Sequence, residues 1–233
     1  MSFSTVLSAS IQGLKVEFVH VEADVSNGLP AFHMVGYLSS EVKEAAERVR
    51  TAIRNSGLDF PAKKTVINLS PATMRKRGAA FDLPIAVAIL VSLGVIPEEK
   101  VRNMLIIGEL SLDGCLQKVP GILPVILEAR EAGIPVCIVP KANASEGALV
   151  EGVEVLGVRN LQEAFAFLAG NEKLEAEPYP EERADEPAEN FLDYSDIQGQ
   201  EGVKRAAEVA VAGGHNLLLV GPPGSGKTMA VRR

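Results

Sequence analysis

The sequence has no tryptophan, two cysteines and only 5% aromatic residues among 233. Cys115 and Cys137 share no C-x-x-C spacing, which argues against a disulfide framework or a cysteine-held zinc and fits a reducing cytosol. Cys137 lies in an apolar run and reads as core, whereas Cys115 reads as a surface hairpin residue. His20, His33 and His215 stand apart without metal-ligand spacing. The longest apolar run, Leu83–Ile96, has 14 residues and contains Pro84, too short to span a bilayer. The start, Met1-Ser2-Phe3-Ser4, lacks the basic and apolar regions of a signal peptide. A cytoplasmic protein with no membrane partner is the expectation.

What the chain does have is an aliphatic core. Its hydrophobic content is 47%, suited to an ordinary α/β protein of one or two domains. The net charge of −7 is unevenly spread. Between Asn171 and Leu192 there are eight acids and two bases, so this stretch carries nearly all of the excess. With Pro178, Pro180 and Pro187 it reads as an acidic linker over 171–192, unable to bury enough apolar surface to order itself. It separates a domain over 1–170 from a module over 193–233. Without it the chain is nearly neutral, and a nucleic-acid partner stays open.

In the first domain, Thr5–Ile11, Lys15–Val21 and Ala31–Val35 read as strands. From Ser40 the apolar period becomes helical, with Ser39 or Ser40 as N-cap and Gly57 past the end. Arg48, Arg50 and Arg54 fall on the face expected to be solvated. Thr65–Leu69 is a strand. Asp82 is expected to cap a helix running through Val91. Leu105–Leu112 and Cys115–Val119 flank Asp113-Gly114, read as a type I′ hairpin turn. Ile122–Ala132 and Leu161–Leu168 read as helices, Val136–Val139 and Val153–Val158 as strands. Strands that first pair antiparallel and later alternate with helices predict an α/β domain with a mixed sheet.

The most specific pattern is Gly221-Pro222-Pro223-Gly224-Ser225-Gly226-Lys227-Thr228, which fits G-x-x-x-x-G-K-[ST]. The apolar run Asn216–Val220 before it reads as a buried strand, and Met229–Val231 after it as a first helical turn. Gly224 and Gly226 let the backbone curl so that successive N–H groups face phosphate oxygens. Lys227 is suited to reach the β- and γ-phosphates of ATP, and the Thr228 hydroxyl to ligate Mg²⁺. A P-loop ATPase also needs an acid on a later strand. Only five residues follow Thr228. Either the chain is a fragment or the loop is a relic, and we read a fragment, expected to bind nucleotide poorly and not to turn it over.

Asp196–Thr228 resembles the start of an AAA+ module, in which the loop before the first helix, here Ile197 and Gly199, packs around the adenine. The first domain resembles the proteolytic domain of Lon, a ribosomal S5 domain 2-like α/β fold. The likeness runs through Lys76–Asp82, Gly108–Gly114 and Ala132–Lys141. Lon proteases use a Ser-Lys dyad. By the run of the motif those positions are Ala80 and Leu123, and neither a methyl nor an isobutyl group can act as nucleophile or base. A Lon-like domain without its dyad before an AAA+ module is the layout of the ComM/YifB family of magnesium-chelatase-like proteins. Gly28–Phe32, Asn55-Ser56-Gly57, Phe81–Ala86 and Gly213–Asn216 all resemble that family. The resemblance implies a hexameric ATPase. For its ComM branch it implies a DNA helicase promoting branch migration during uptake of transforming DNA.

The P-loop performs the same phosphate chemistry in several settings. A chelatase-type remodelling ATPase acting on a protein partner is therefore the alternative, with an ATP-dependent protease a third reading weakened by Ala80 and Leu123. Arg75-Lys76-Arg77, three consecutive bases on a loop, are candidate DNA contacts.

Overall fold

A computed structural model describes residues 3–13, 15–179 and 193–232. These fall into two compact units, one ending at 179 and the other starting at 193.

The first unit opens with an antiparallel pair, β1 (Phe3–Gln12) and β2 (Lys15–Ser26), in register from Phe3–Asp24 to Gln12–Lys15. Strand periodicity turns Val19, Val21, Ala23 and Val25 to one side, where all are buried. Then follow β3 (Ala31–Val35), α1 (Ser40–Lys43), α2 (Ala45–Asn55), β4 (Lys64–Ser70) and α3 (Asp82–Ser92). Next come β5 (Met104–Ile106), β6 (Glu109–Leu110), β7 (Leu116–Gln117) and α4 (Ile122–Glu131). The unit continues with β8 (Val136–Pro140), α5 (Lys141–Gly147), β9 (Glu154–Val158) and α6 (Leu161–Leu168). Seven strands form one sheet in the order β3-β4-β2-β1-β5-β8-β9. The β1/β2 and β2/β4 pairs are antiparallel and the others parallel, so the mixed α/β sheet expected from the sequence is present.

Apolar clusters cover both sheet faces. Residues of α2, α3 and α6 build one, and residues of α4 with Ala9, Leu105 and Cys137 build the other. Every residue of α3 is buried, because its run Leu83–Val91 is apolar all round rather than on one stripe. Two bonds tie its C-terminal half to the open end of the hairpin: Ser4 Oγ donates to Ala88 O at 2.6 Å, and Val25 N donates to Ser92 Oγ at 3.1 Å.

Several local expectations change. The helix expected from Ser40 is broken at Glu44 into α1 and α2. Asp82 does not cap α3; Phe81 holds the cap position and Asp82 lies in the first turn. Its buried carboxylate instead takes Arg48 Nε at 2.8 Å, Arg48 Nη2 at 3.0 Å and Leu110 N at 3.3 Å. Arg48 is thereby drawn off the solvated face, and its side chain is only 21% exposed. Burial pushes the Asp82 carboxyl above the ordinary carboxylate range, opposed by the Arg48 guanidinium. Arg50 is half-buried and Arg54 stays exposed, and both guanidinium groups lie over the Phe60 ring at 5.9 Å.

The strand expected over Leu105–Leu112 breaks at Gly108, whose N–H donates to Ala80 O and whose carbonyl accepts from Leu83 N. The hairpin that follows uses a longer turn than type I′. Gly114 N donates to Ser111 O, Ser111 N to Cys115 O, and Gly114 has φ of 86°. That is a three-residue loop closed by one left-handed glycine. Cys115 is exposed and Cys137 buried, as expected. Burial pushes the Cys137 thiol up to about 12. Helix α5 gave no signal in the sequence because Lys141–Gly147 lacks an apolar period.

Residues 171–179 are not a free linker. Leu174 packs on the first apolar cluster, Glu177 N donates to Val155 O, and Glu177 pairs with Lys141 at 2.5 Å. The rest of the expected linker, 180–192, lies outside the described residues.

In the second unit, a 3-10 turn (Tyr194–Asp196) leads to α7 (Glu201–Ala212) and α8 (Lys227–Arg232). Asp193 caps the turn, accepting from Ser195 N at 2.6 Å. The strand expected over Asn216–Val220 is absent. No ladder partner lies beside it among the described residues, and Leu218 and Val220 are 84% and 87% exposed. No helix among the described residues is long and apolar enough to cross a membrane.

Candidate functional site

The glycine loop bounds a cleft of about 460 Å³ in the second unit. Gly224 and Gly226 have φ of 79° and 81°, backbone settings that side chains rarely adopt, and they close the loop onto the first turn of α8. Lys227, the first residue of α8, folds back over the loop. Its ammonium donates to Gly221 O and Pro222 O, both at 2.8 Å, and to Ser225 Oγ at 3.3 Å. A compact cation is thus held at the centre of the loop, where the phosphate groups of a nucleotide would replace carbonyl oxygens as its partners.

The opposite wall comes from the segment before α7. Ile197, only 8% exposed, lines the cleft as expected. Gly199 and Gln200 both adopt left-handed backbone, with φ of 71° and 59°. Gln200 Nε2 donates to Ser225 O at 3.3 Å, tying this turn to the glycine loop. Tyr194 Oη donates to Ala230 O at 3.2 Å, tying the 3-10 turn to α8. The two bonds hold the cleft walls together.

Not all expected residues line this cleft. Gly221, Pro222, Gly224, Ser225, Gly226, Lys227 and Ile197 do; Pro223, Gly199 and Thr228 do not. Thr228 is exposed at an adjoining shallow pocket, which shares Leu219 and Lys227 with the cleft. Sequence reasoning assigned no site role to several others that line it, among them Gln198, Gln200, Val203, Lys204 and Met229. Val203 lies on the partly buried side of α7 that faces the cleft.

The residues fit a nucleotide in two respects: a loop held open by two left-handed glycines, and a lysine already bonded across it. Thr228 carries the hydroxyl that would hold Mg²⁺ there, the ion supplying positive charge against the phosphates. No cluster of three His, Cys, Asp or Glu residues able to hold a metal occurs among the described residues.

In the first unit, Ala80 and Leu123 are half-buried against the same apolar cluster. The basic triplet is not a uniform surface. Arg75 and Arg77 are exposed, and Arg75 stacks over Tyr37 at 5.8 Å. Lys76 is wholly buried and its ammonium donates to Pro71 O, so it cannot meet DNA as expected from the sequence. The backbone decides this: Lys76 is clamped between Tyr37 O, bonded to its N–H, and Ser39 N, bonded to its carbonyl. Burial lowers its pKa.

The family described as "Subunit ChlI of Mg-chelatase" matches residues 21–143, and "Magnesium chelatase, subunit ChlI" matches residues 193–233. The uncharacterised protein YifB of Escherichia coli K12 is 43% identical over 233 residues, all of this chain and 45% of that protein. Competence protein ComM of Haemophilus influenzae is 40% identical over 238 residues, all of this chain and 46% of that protein. The chain belongs to the ComM/YifB family. Lon protease 2 of Bacillus subtilis is 27% identical over 142 residues, 60% of this chain and 25% of that protein, which agrees with a Lon-like first unit. The chain spans about half the length of the curated relatives it matches. The family is of the magnesium-chelatase-like AAA+ type.

Proposed function

We propose that the protein binds ATP with Mg²⁺ and works as an AAA+ ATPase motor on DNA, assembled as a homohexamer. The observation that carries the nucleotide part is the Lys227 ammonium, held on Gly221 O and Pro222 O inside a loop built by left-handed Gly224 and Gly226. Gly221 to Thr228 form the phosphate loop, Ile197 and Gln200 the wall against the base, and Thr228 holds the metal. The DNA part rests on likeness to a competence protein and on two exposed arginines, Arg75 and Arg77. On this reading the Lon-like unit is a non-proteolytic module, because Ala80 and Leu123 offer neither nucleophile nor base.

Titration with a fluorescent ATP analogue tests the nucleotide reading. Lys227→Ala removes a charge-assisted contact worth about 1.5–3 kcal/mol, roughly ten- to a hundredfold in affinity. Equal affinity in wild type and mutant would refute it. A strand-exchange assay on the full-length protein with a branched DNA substrate tests the motor. ATP hydrolysis stimulated by a protein partner and not by DNA would favour the chelatase-type remodelling alternative.

A further inference from the structure

Among the described residues, Gln200 is the one residue other than glycine with a left-handed backbone, at φ of 59°. That setting crowds a Cβ against the following carbonyl, and residues held so tend to sit at functional sites. Glycine would fill the position without the crowding. The Gln200 carbonyl starts α7, accepting from Val203 N at 2.9 Å and Lys204 N at 3.0 Å, and this needs no side chain. The side chain has a separate partner: its Nε2 donates across the cleft to Ser225 O, 25 residues along the chain.

The acceptor stands where a single bond has most effect. Ser225 lies between Gly224 and Gly226, both left-handed. A peptide plane beside a glycine turns over at little cost, because glycine accepts φ of either sign. In a trans peptide the carbonyl and the next residue's N–H point opposite ways. Whatever fixes Ser225 O therefore fixes the Gly226 N–H, turned away from Gln200. That N–H donates to no acceptor among the described residues, and it directly precedes Lys227 in the loop. The hydroxyl of the same Ser225 accepts from Lys227 Nζ at 3.3 Å, so peptide plane and ammonium meet at one residue. A loop that cradles phosphates works through N–H groups that are free and aimed before the ligand arrives.

We propose that Gln200 is a positioning residue for the phosphate loop. Its amide holds the Ser225–Gly226 peptide in one orientation and so keeps the Gly226 N–H available to a phosphate oxygen. The turn before α7 thus sets the loop opposite it as well as walling the base. This role rests on the nucleotide reading of the cleft.

The test uses the whole 233-residue chain, displacing a fluorescent ATP analogue with ATP and with inorganic tripolyphosphate, which has no base. Gln200→Gly keeps the left-handed turn and removes the amide. Gln200→Asn keeps an amide on a residue that tolerates this backbone, but one methylene short of Ser225 O. Both should weaken ATP and tripolyphosphate by about fivefold or more, the effect of one hydrogen bond. Lys227→Ala should weaken both ligands and separates the two readings. If it binds like wild type, the nucleotide reading falls and the role of Gln200 with it. If it is weakened and the two Gln200 variants are not, only the role of Gln200 falls. Weakening for ATP alone would put Gln200 on the base side and overturn the proposal too. On the wild type, the amide signal of Gly226 in heteronuclear NMR should shift when tripolyphosphate is added, a readout independent of how the variants fold. A signal that stays in place would overturn the proposal.

Discussion

Thr65–Leu69 in the first unit and Asn216–Val220 in the second are both short apolar-rich runs that read as strands. The first is a strand, β4, hydrogen-bonded to β2 on one side and β3 on the other, with Ile67 and Leu69 wholly buried. The second has no ladder, and Leu217, Leu218 and Val220 are 44%, 84% and 87% exposed. The difference is not in propensity. A strand is completed by its neighbours, which satisfy its backbone groups and cover its side chains. The first unit supplies them within the described residues and the second does not. Yet the second unit holds the more specific chemical signature, because a phosphate loop depends on local glycine geometry more than on the sheet around it.

Core truncation should show the contrast most strongly. Ile89→Ala, in the wholly buried helix α3, should destabilise the first unit by about 2–5 kcal/mol. Leu218→Ala should change stability by no more than about 0.5 kcal/mol. Denaturant titrations that gave the two substitutions equal effects would erase the distinction.

The buried ion pair comes next. Asp82→Ala leaves the Arg48 guanidinium without its carboxylate and should cost about 3 kcal/mol, the low end for a broken buried pair because Arg48 keeps some solvent contact. Replacing both partners, Arg48→Met with Asp82→Leu, should recover most of that loss in thermal melts.

Lys76 gives a smaller effect of opposite sign. Burial places its folded pKa below the unfolded value of 10.5, so the folded state gives up the proton first. Stability then rises with pH between the folded and the unfolded pKa, and the full burial penalty is felt below both. Lys76→Met should stabilise the chain at neutral pH by about 1 kcal/mol and flatten that alkaline rise. A melting temperature that fell on substitution would show the Pro71 contact to outweigh the burial.

The smallest effect concerns the exposed arginines. Arg75→Ala with Arg77→Ala should flatten the salt dependence of DNA binding by up to about 1.4–1.8, two charges at roughly 0.7–0.9 each. Lys76→Met should leave the slope alone. An unchanged slope in a double mutant that still assembles would remove this loop from the DNA reading.

Much was legible in the sequence where the signal is local. Turn glycines, strand alternation, the all-apolar run of α3 and the G-x-x-x-x-G-K-[ST] spacing each depend on a few neighbouring residues, and each appears in the structure. The proposal that the Lon-like unit is non-proteolytic likewise rests on the identities of Ala80 and Leu123 alone. Other outcomes depended on partners far along the chain. Asp82 looked like a helix cap, but Arg48, 34 residues earlier, claims its carboxylate. Lys76 looked like its two neighbours, but backbone bonds to Tyr37 and Ser39 turn it inward. Residue type and spacing determined the chemistry each side chain could offer. Only the packing of distant segments decided which side chains meet water and which meet one another, because burial and hydrogen-bond competition are settled between elements and not within them.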